Sequence, residues 1–357
     1  MYEIVQQCGV VEKILQKNED ITTALILYEN NQLRKAINYN RINGDLYVNE
    51  RVLVNTTAVD LELGTGGFDY IYARLAKDST SLSSEKGHIM KLRYTPLQLR
   101  TKCVEAQDSP HHEIFKRVQD IGGLPVIILP LHSLLAPVVI VFKHYFPEKR
   151  IIYIMTEGGS LSLEVSFLVR KLKKENLLDK TITVGQSFGG DLETVNIFTG
   201  LLAACHLARG DLIIVGMGPG ITGTGTKYGY SGTENAFTAQ AVHILKGRSI
   251  VIPRISLADS RKRHYGISHH TCTLLKNLIN HPIDVVCPEV ELLINSFKET
   301  GIINKHNIFF YKYYGINRIL NNSGFNFNSM GRNLQDDPLF FITAGLAVKH
   351  YREITRE

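Results

Sequence analysis

Residues 212–226 read LIIVGMGPGITGTGT. Leu212–Val215 is apolar at every position, the pattern of a short strand covered on both faces. It runs directly into Gly216-Met217-Gly218-Pro219-Gly220-Ile221-Thr222-Gly223-Thr224-Gly225-Thr226. The same grammar recurs on either side. Arg150–Met155 runs into Thr156-Glu157-Gly158-Gly159-Ser160, and Thr181–Val184 into Gly185-Gln186-Ser187-Phe188-Gly189-Gly190-Asp191. Ser249–Ile252 leads to a segment from Arg254 to His264. Pro125–Leu129, Ile283–Cys287 and Asn307–Tyr311 are further strand candidates. Helix-length stretches lie between them at Ser160–Glu175, Leu192–Ala208, Thr233–Leu245, His269–Asn280 and Val290–Glu299. Apolar strands alternating with amphipathic helices predict an α/β, doubly wound, mostly parallel sheet with helices on both faces, over residues 106–320.

Upstream the period changes. Thr22–Tyr28, Lys35–Tyr39, Asp45–Val54 and Phe68–Leu75 are β-rich runs separated by turn residues such as Asn43-Gly44 and Gly64-Thr65-Gly66-Gly67. Strands at this spacing predict a small all-β, barrel-like N-terminal domain over residues 1–105. The Ser-rich stretch Asp78–Gly87 reads as a loop. Residues 321–357 hold an Asn/Gly-rich loop, Asn321–Gly331, and a final helix from Asp337 to Tyr351 with Pro338 in its first turn. One face of that helix is apolar (Leu339, Phe340, Ile342, Leu346), to pack on the body or on a second subunit of a homo-oligomer.

Composition narrows the class. The chain has 357 residues, 44% hydrophobic and 21% charged, with a formal net charge of +6. That suits a globular protein with a sizeable core. The basic residues are scattered rather than gathered, so nucleic acid is not the expected partner. The aromatics Tyr39, Tyr47, Phe68, Tyr70 and Tyr72 keep binding through the β domain as an alternative. Five cysteines lie far apart with no CxxC pair, which points to free thiols rather than a disulfide framework. The N-terminal MYEIVQQCGVVEKI has no basic region followed by an apolar run, so no export signal is expected. The stretch Leu124–Phe142 holds three prolines and reads as strand, turn and helix, not as a membrane span. The expected location is the cytoplasm.

In an open parallel sheet, ligands bind beyond the carboxyl ends of the strands. Small, hydroxylic and ionisable residues collect there in four successive loops, while the opposite loops are short and plain. The expected ligand-binding residues are Gly158, Gly159, Gln186, Ser187, Gly189, Gly190, Gly218, Gly220, Thr222, Gly223, Thr224, Gly225, Thr226, Asp259, Arg261, Arg263 and His270. Glycine turns before helices favour an anion, and Arg261 and Arg263 can neutralise one. His264 and His269, with Asp191 or Glu157, are the candidate catalytic groups, since histidine titrates near neutrality. Glu234 reads as serving the first turn of its own helix. Gly216–Gly220 matches neither a dinucleotide fingerprint nor a phosphate loop. Ser187 in Gly-Gln-Ser-Phe-Gly resembles a nucleophile elbow, with Asp259 and His264 only loosely in the required order. Asp259, His264 and His269 or His270 would be the ligands of a metal, but no zinc spacing supports one, and neither metal nor cofactor is assigned. The partner expected is a small anionic molecule, phosphorylated or nucleotide-like, turned over by an enzyme. The alternative is a non-catalytic metabolite-sensing or partner-binding module.

Six stretches carry a resemblance: NTTAVDLELGTGGFDY (55–70), MTEGG (155–159), TVGQSFGGDLETVNIFTGLLAA (183–204), GMGPGITGTGTKYGYSG (216–232), RISLADSRKRHYGISHHT (254–271) and MGRNLQDDPLFFITAG (330–345). Together they resemble a bacterial family known as domain of unknown function 3866. One departure is Glu157, where members often have Asp. The resemblance implies a two-part architecture along nearly the whole chain and no established activity.

Overall fold

The computed structural model describes residues 4–63, 66–75 and 87–356. The chain forms two compact units, one of Met1–Lys86 with Leu92–Leu99, the other of Gly87–Lys91 with Arg100–Glu357. The Ser-rich stretch at 78–86 and the Gly64-Thr65 part of the glycine-rich turn lie outside the described residues.

The first unit is a closed five-stranded barrel of β1 (Gln6–Lys17), β2 (Ile21–Tyr28), β3 (Leu33–Tyr39), β4 (Arg51–Asn55) and β5 (Asp69–Arg74). The order around it is β1-β2-β3-β5-β4, with β4 closing on β1 and β3 running parallel to β5. β1 was absent from the strands expected from sequence. It pairs with both β2 and β4, and register shifts at Val11/Lys13 and Ile14/Gln16 let it bend between them. Val11, Ala24, Ile26, Ala36, Val52, Val54 and Ile71 fill the interior. The expected run Asp45–Val54 is a strand only from Arg51.

The second unit is built on an eight-stranded sheet, every pairing parallel. Its strands are β6 (Pro125–Ile128), β7 (Ile151–Thr156), β8 (Lys180–Thr183), β9 (Leu192–Glu193), β10 (Leu212–Met217), β11 (Arg248–Val251), β12 (Asp284–Pro288) and β13 (Asn307–Tyr311). The spatial order is β9-β8-β7-β10-β6-β11-β12-β13. The chain starts at β6, lays β7, β8 and β9 outward on one side, and returns to place β10 beside β6. It then adds β11, β12 and β13 on the other side. The direction of winding therefore reverses around β6 and β10, and a crevice opens there beyond the carboxyl ends.

Around the sheet lie α1 (Leu135–Tyr145), α2 (Phe167–Lys174), α3 (Ile197–Leu202), α4 (Glu234–Ile244), α5 (His269–Thr273), α6 (Glu291–Glu299), α7 (Tyr314–Asn322) and α8 (Pro338–Thr355). The sequence expects helix from Ser160 and from Leu192. The first begins at Phe167, after Ser166 accepts a hydrogen bond from the Val169 N–H. The second begins only after Asn196 forms a capping box with Thr199, because Leu192–Glu193 is a strand. α8 uses its apolar face within its own unit: it packs on α1 and β12, and Phe340, Phe341 and Leu346 are buried.

All five cysteines are free, Cys103 and Cys287 buried and the others partly so. Among the described residues no helix is long and apolar enough to cross a membrane.

Candidate functional site

A cavity of about 610 Å³ occupies the switch-point crevice. The segment after β6 contributes His132 and Ser133, and the loop after β10 contributes Gly218, Gly220 and Ile221. Ser166 and Lys171 come from α2 and its cap, and Phe325, Phe327 and Met330 from the Asn/Gly-rich segment before α8. Volume and mixed lining suit a small-molecule site.

His132 is the chemically organised group in this wall. Its Nδ1 lies 3.1 Å from the Tyr153 hydroxyl and its Nε2 2.7 Å from Ser166 Oγ. Tyr153 donates its own proton to the Gly216 carbonyl at 3.2 Å. The tyrosine oxygen therefore accepts from His132 Nδ1–H, and the Nε2 lone pair faces the Ser166 hydroxyl. Burial pushes the His132 pKa down to about 4, so the ring is neutral near pH 7. The sequence reading missed both residues. His132 lay inside an apolar stretch, and Ser166 inside an expected helix. Only the position of His132 just after a strand could have drawn notice. Alternation of Phe325 and Phe327 with Asn326 and Asn328 was the one available hint at the third wall.

The loop after β7 supports this cavity through its backbone. The Ser160 N–H donates to the Pro219 carbonyl at 2.7 Å. A Cβ on Gly159 would lie 2.2 Å from the Gly218 carbonyl oxygen, so only glycine permits this approach. Beyond Ile221 the β10 loop folds on itself. Thr224 and Thr226 share a 2.9 Å hydroxyl contact, and the Thr222 N–H is taken by Ser231. Thr222, Thr224, Gly225 and Thr226 are exposed rather than turned into the cavity. Gly223 is exposed as well, and a Cβ built on it would lie 3.4 Å from the His270 ring.

The loop after β8 departs from expectation. Ser187 is fully buried, and its Oγ donates to the Thr156 carbonyl at 3.0 Å, with no acid–base partner among the described residues. The elbow reading is corrected accordingly. The Gly189 and Gly190 N–H groups already bond Glu193 and Thr183. Asp191 accepts from the Thr181 N–H and hydroxyl and pairs with Lys173, which puts it beside the start of β8, not at its carboxyl end. Lys91, 1% exposed, ties the region together. Its ammonium meets Glu193 at 2.6 Å and donates to the Thr183 and Ser187 carbonyls. Glu157, exposed, accepts from the Gln186 N–H across the positive-φ Gly185. Glu234 bonds the Thr156 hydroxyl, and burial raises its pKa.

The segment after β11 builds a compact ionic group. Asp259 accepts three hydrogen bonds from Arg261, two from its guanidinium at 2.9 and 2.7 Å and one from its backbone N–H at 3.1 Å. Arg254 and Arg332 reach the same carboxylate at 3.3 and 3.4 Å. Arg332 also pairs with Asp337, itself bonded by Ser256. Hydrogen bonding by Arg261 holds Asp259 far below the usual carboxylate range, and burial pushes Arg254 down to about 10. The Met330 sulfur lies 3.4 Å from Arg254, so one residue of the cavity wall touches this group. Arg263 is exposed. His264, His269 and His270 each offer a nitrogen within 4.8 Å of the others. Ser268 Oγ contacts His264 Nδ1 at 2.7 Å and caps α5. The Tyr230 ring stacks on His270 at 3.9 Å. Burial pushes His264 down to about 4 and His270 to about 3, so both are neutral near pH 7, and it lowers His269 as well. A small hollow of about 20 Å³ is lined by Ile221, Arg254 and His270, and Ile221 also lines the larger cavity.

Of the residues expected at one site, Gly218 and Gly220 line the cavity, Asp259 and Arg261 belong to the ionic group that Met330 touches, and His264, His269 and His270 gather with one another. The fold gives Ser187, Gly189, Gly190 and Asp191 bonds of their own.

No curated protein and no solved structure matches the chain. A family model described as "Protein of unknown function (DUF3866)" matches residues 35–348, and the chain belongs to that family.

Proposed function

We propose that this member of the DUF3866 family is an enzyme acting on a small anionic molecule with an apolar body, bound in the switch-point cavity of the second unit. The observation that carries the reading is the cavity of about 610 Å³ with the His132–Ser166 contact in its wall. Phe325, Phe327 and Ile221 suit an apolar or ring-bearing body. Lys171 in the wall and the group of Arg254, Arg261 and Arg332 at its edge suit a phosphate or carboxylate. His132 is placed as a neutral general base toward the Ser166 hydroxyl, the relation that activates a serine. Glu157, His264 and His269 do not line the cavity, and Asp191, bonded to Thr181 and Lys173, leaves the reading.

Native mass spectrometry of the full chain, gently purified, tests it. A co-purifying acid is expected, retained by Ser166→Ala but lost in Leu168→Trp, which fills the cavity. Turnover of that acid should fall on the order of 100-fold or more in Ser166→Ala and His132→Gln. A ligand retained by Leu168→Trp would place binding elsewhere, and an empty chain against a broad metabolite pool would remove the reading.

A second reading has its own observation. The order β1-β2-β3-β5-β4 with parallel β3 and β5 is the arrangement of oligonucleotide-binding barrels. Tyr39 and Tyr70 stack at 6.1 Å on adjoining strands, the kind of aromatic platform that single strands use. Salt-dependent binding of single-stranded oligonucleotides by the full chain would support it, and absence of binding at low salt would end it.

A further inference from the structure

We infer that His264, His269 and His270 form a binding site for a transition-metal dication of the zinc class, with a fourth position left for an anion. One nitrogen from each residue lies within 4.8 Å of the other two. Two of the imidazoles carry buried nitrogens with no hydrogen-bond partner among the described residues, Nε2 of His269 and Nδ1 of His270. A buried polar atom left unpaired is costly, and two in one cluster call for an occupant. The atoms also differ in reach. His269 and His270 are neighbours in sequence, whose side chains diverge around the helix. A long-reach Nε2 on one and a short-reach Nδ1 on the other let them converge.

His264 completes the set. Its Nδ1 is held by Ser268 Oγ at 2.7 Å, the outer hydrogen bond that commonly orients a metal-binding imidazole. That leaves Nε2 for the ion. Ser268 Oγ also accepts from the His270 N–H, so one residue positions two ligands. Three imidazoles and no thiolate suit zinc, nickel or copper rather than magnesium or calcium. Tetrahedral zinc needs ligand nitrogens roughly 3.3 Å apart, so the rings close inward by on the order of 1 Å as the ion binds. Neighbouring Arg254 and Arg263 oppose a bare dication. They favour a site whose fourth ligand is negative: hydroxide, a carboxylate or a phosphate. The sequence offers Asp259 with His264 and His269 or His270 as metal ligands; the structure ties Asp259 to arginines and groups the three histidines instead. His264 precedes His269 by one short loop, in a segment with no zinc motif.

The site stands apart from the cavity reading, because the metal alone tests it. The full chain is stripped with chelator and titrated with Zn²⁺ by calorimetry, then with Co²⁺ by visible absorption. One equivalent is expected, with the intense cobalt bands of four-coordinate geometry. His269→Gln and His270→Gln should each weaken binding on the order of 100-fold, and Ser268→Ala about tenfold. Far-ultraviolet circular dichroism checks that the variants fold. No stoichiometric binding, or affinity unchanged in both histidine variants, overturns the proposal. Should neither variant fold, the cobalt spectrum of the unaltered chain decides, and a weak octahedral spectrum rejects the site.

Discussion

Asp259→Ala is expected to lower the stability of the second unit by about 3–5 kcal/mol, the cost of removing one partner from a buried ionic group. The Asp259 side chain is 1% exposed and the Arg254 side chain 5%. Without the carboxylate, Arg254 is left charged and buried beside Arg332 and Arg261. The outer partner behaves differently. The Arg261 side chain is 43% exposed, so Arg261→Ala is expected to cost about 1 kcal/mol or less. Urea unfolding followed by circular dichroism measures both. The acid limb carries the same sign. Asp259 has a lowered folded-state pKa, so its contribution is complete above the unfolded value of about 4 and is lost as pH falls through the lowered one. Replacing the whole group with apolar residues, Asp259→Leu with Arg254→Met and Arg332→Met, should recover much of the loss, because such groups confer little net stability. A drop under 1 kcal/mol for Asp259→Ala would show that the arginines relax into water, and that the group does not clamp residues 254–264 to 330–337.

That clamp links stability to the cavity, since Met330 and Phe327 reach the crevice from the segment it secures. It also explains which features the sequence displayed. The strands of the α/β unit were legible because a parallel strand buried on both faces is apolar throughout, as in Leu212–Met217. The position of the loops after β7, β10 and β11 was legible because chain order alone assigns each loop to a carboxyl end. The loop after β8 broke that logic. Leu192–Glu193 turns back beside β8 and carries Asp191 to the start of the strand, where Thr181 and Lys173 engage it. Its polar, glycine-rich look reflects the bonds around buried Lys91 instead. β1 was hidden because its two register shifts break the alternation that marks a strand. The His132–Ser166 contact joins residues 34 apart and leaves no local pattern. The same holds for Arg332, brought to Asp259 from the end of the chain.

The backbone contact between the β7 and β10 loops gives the sharpest test of how the cavity is held. Gly158 and Gly159 are adjacent, and a Cβ would be crowded at either position, but by different neighbours. At Gly159 it would lie 2.2 Å from the Gly218 carbonyl oxygen, 2.7 Å from its carbon and 2.8 Å from the Pro219 oxygen. These are main-chain atoms of the loop that lines the cavity, and they cannot rotate aside. At Gly158 the Cβ would meet the Glu234 carboxylate, the end of a flexible side chain. Gly159→Ala is therefore expected to displace the β10 loop by on the order of 1 Å, to cost about 1–3 kcal/mol, and to break the Ser160–Pro219 hydrogen bond. A shift of that size in a binding wall is expected to weaken ligand retention or turnover on the order of 100-fold. Gly158→Ala should cost less, because Glu234 can swing away, and should leave the β10 loop in place. Gly223→Ala, whose Cβ would meet nothing closer than 3.4 Å, should be nearly neutral. Thermal unfolding and native mass spectrometry of the three variants give the ranking. If Gly159→Ala and Gly158→Ala prove equal in both measurements, the β7 loop does not set the position of the cavity wall, and the wall is held from the Phe325–Met330 side instead.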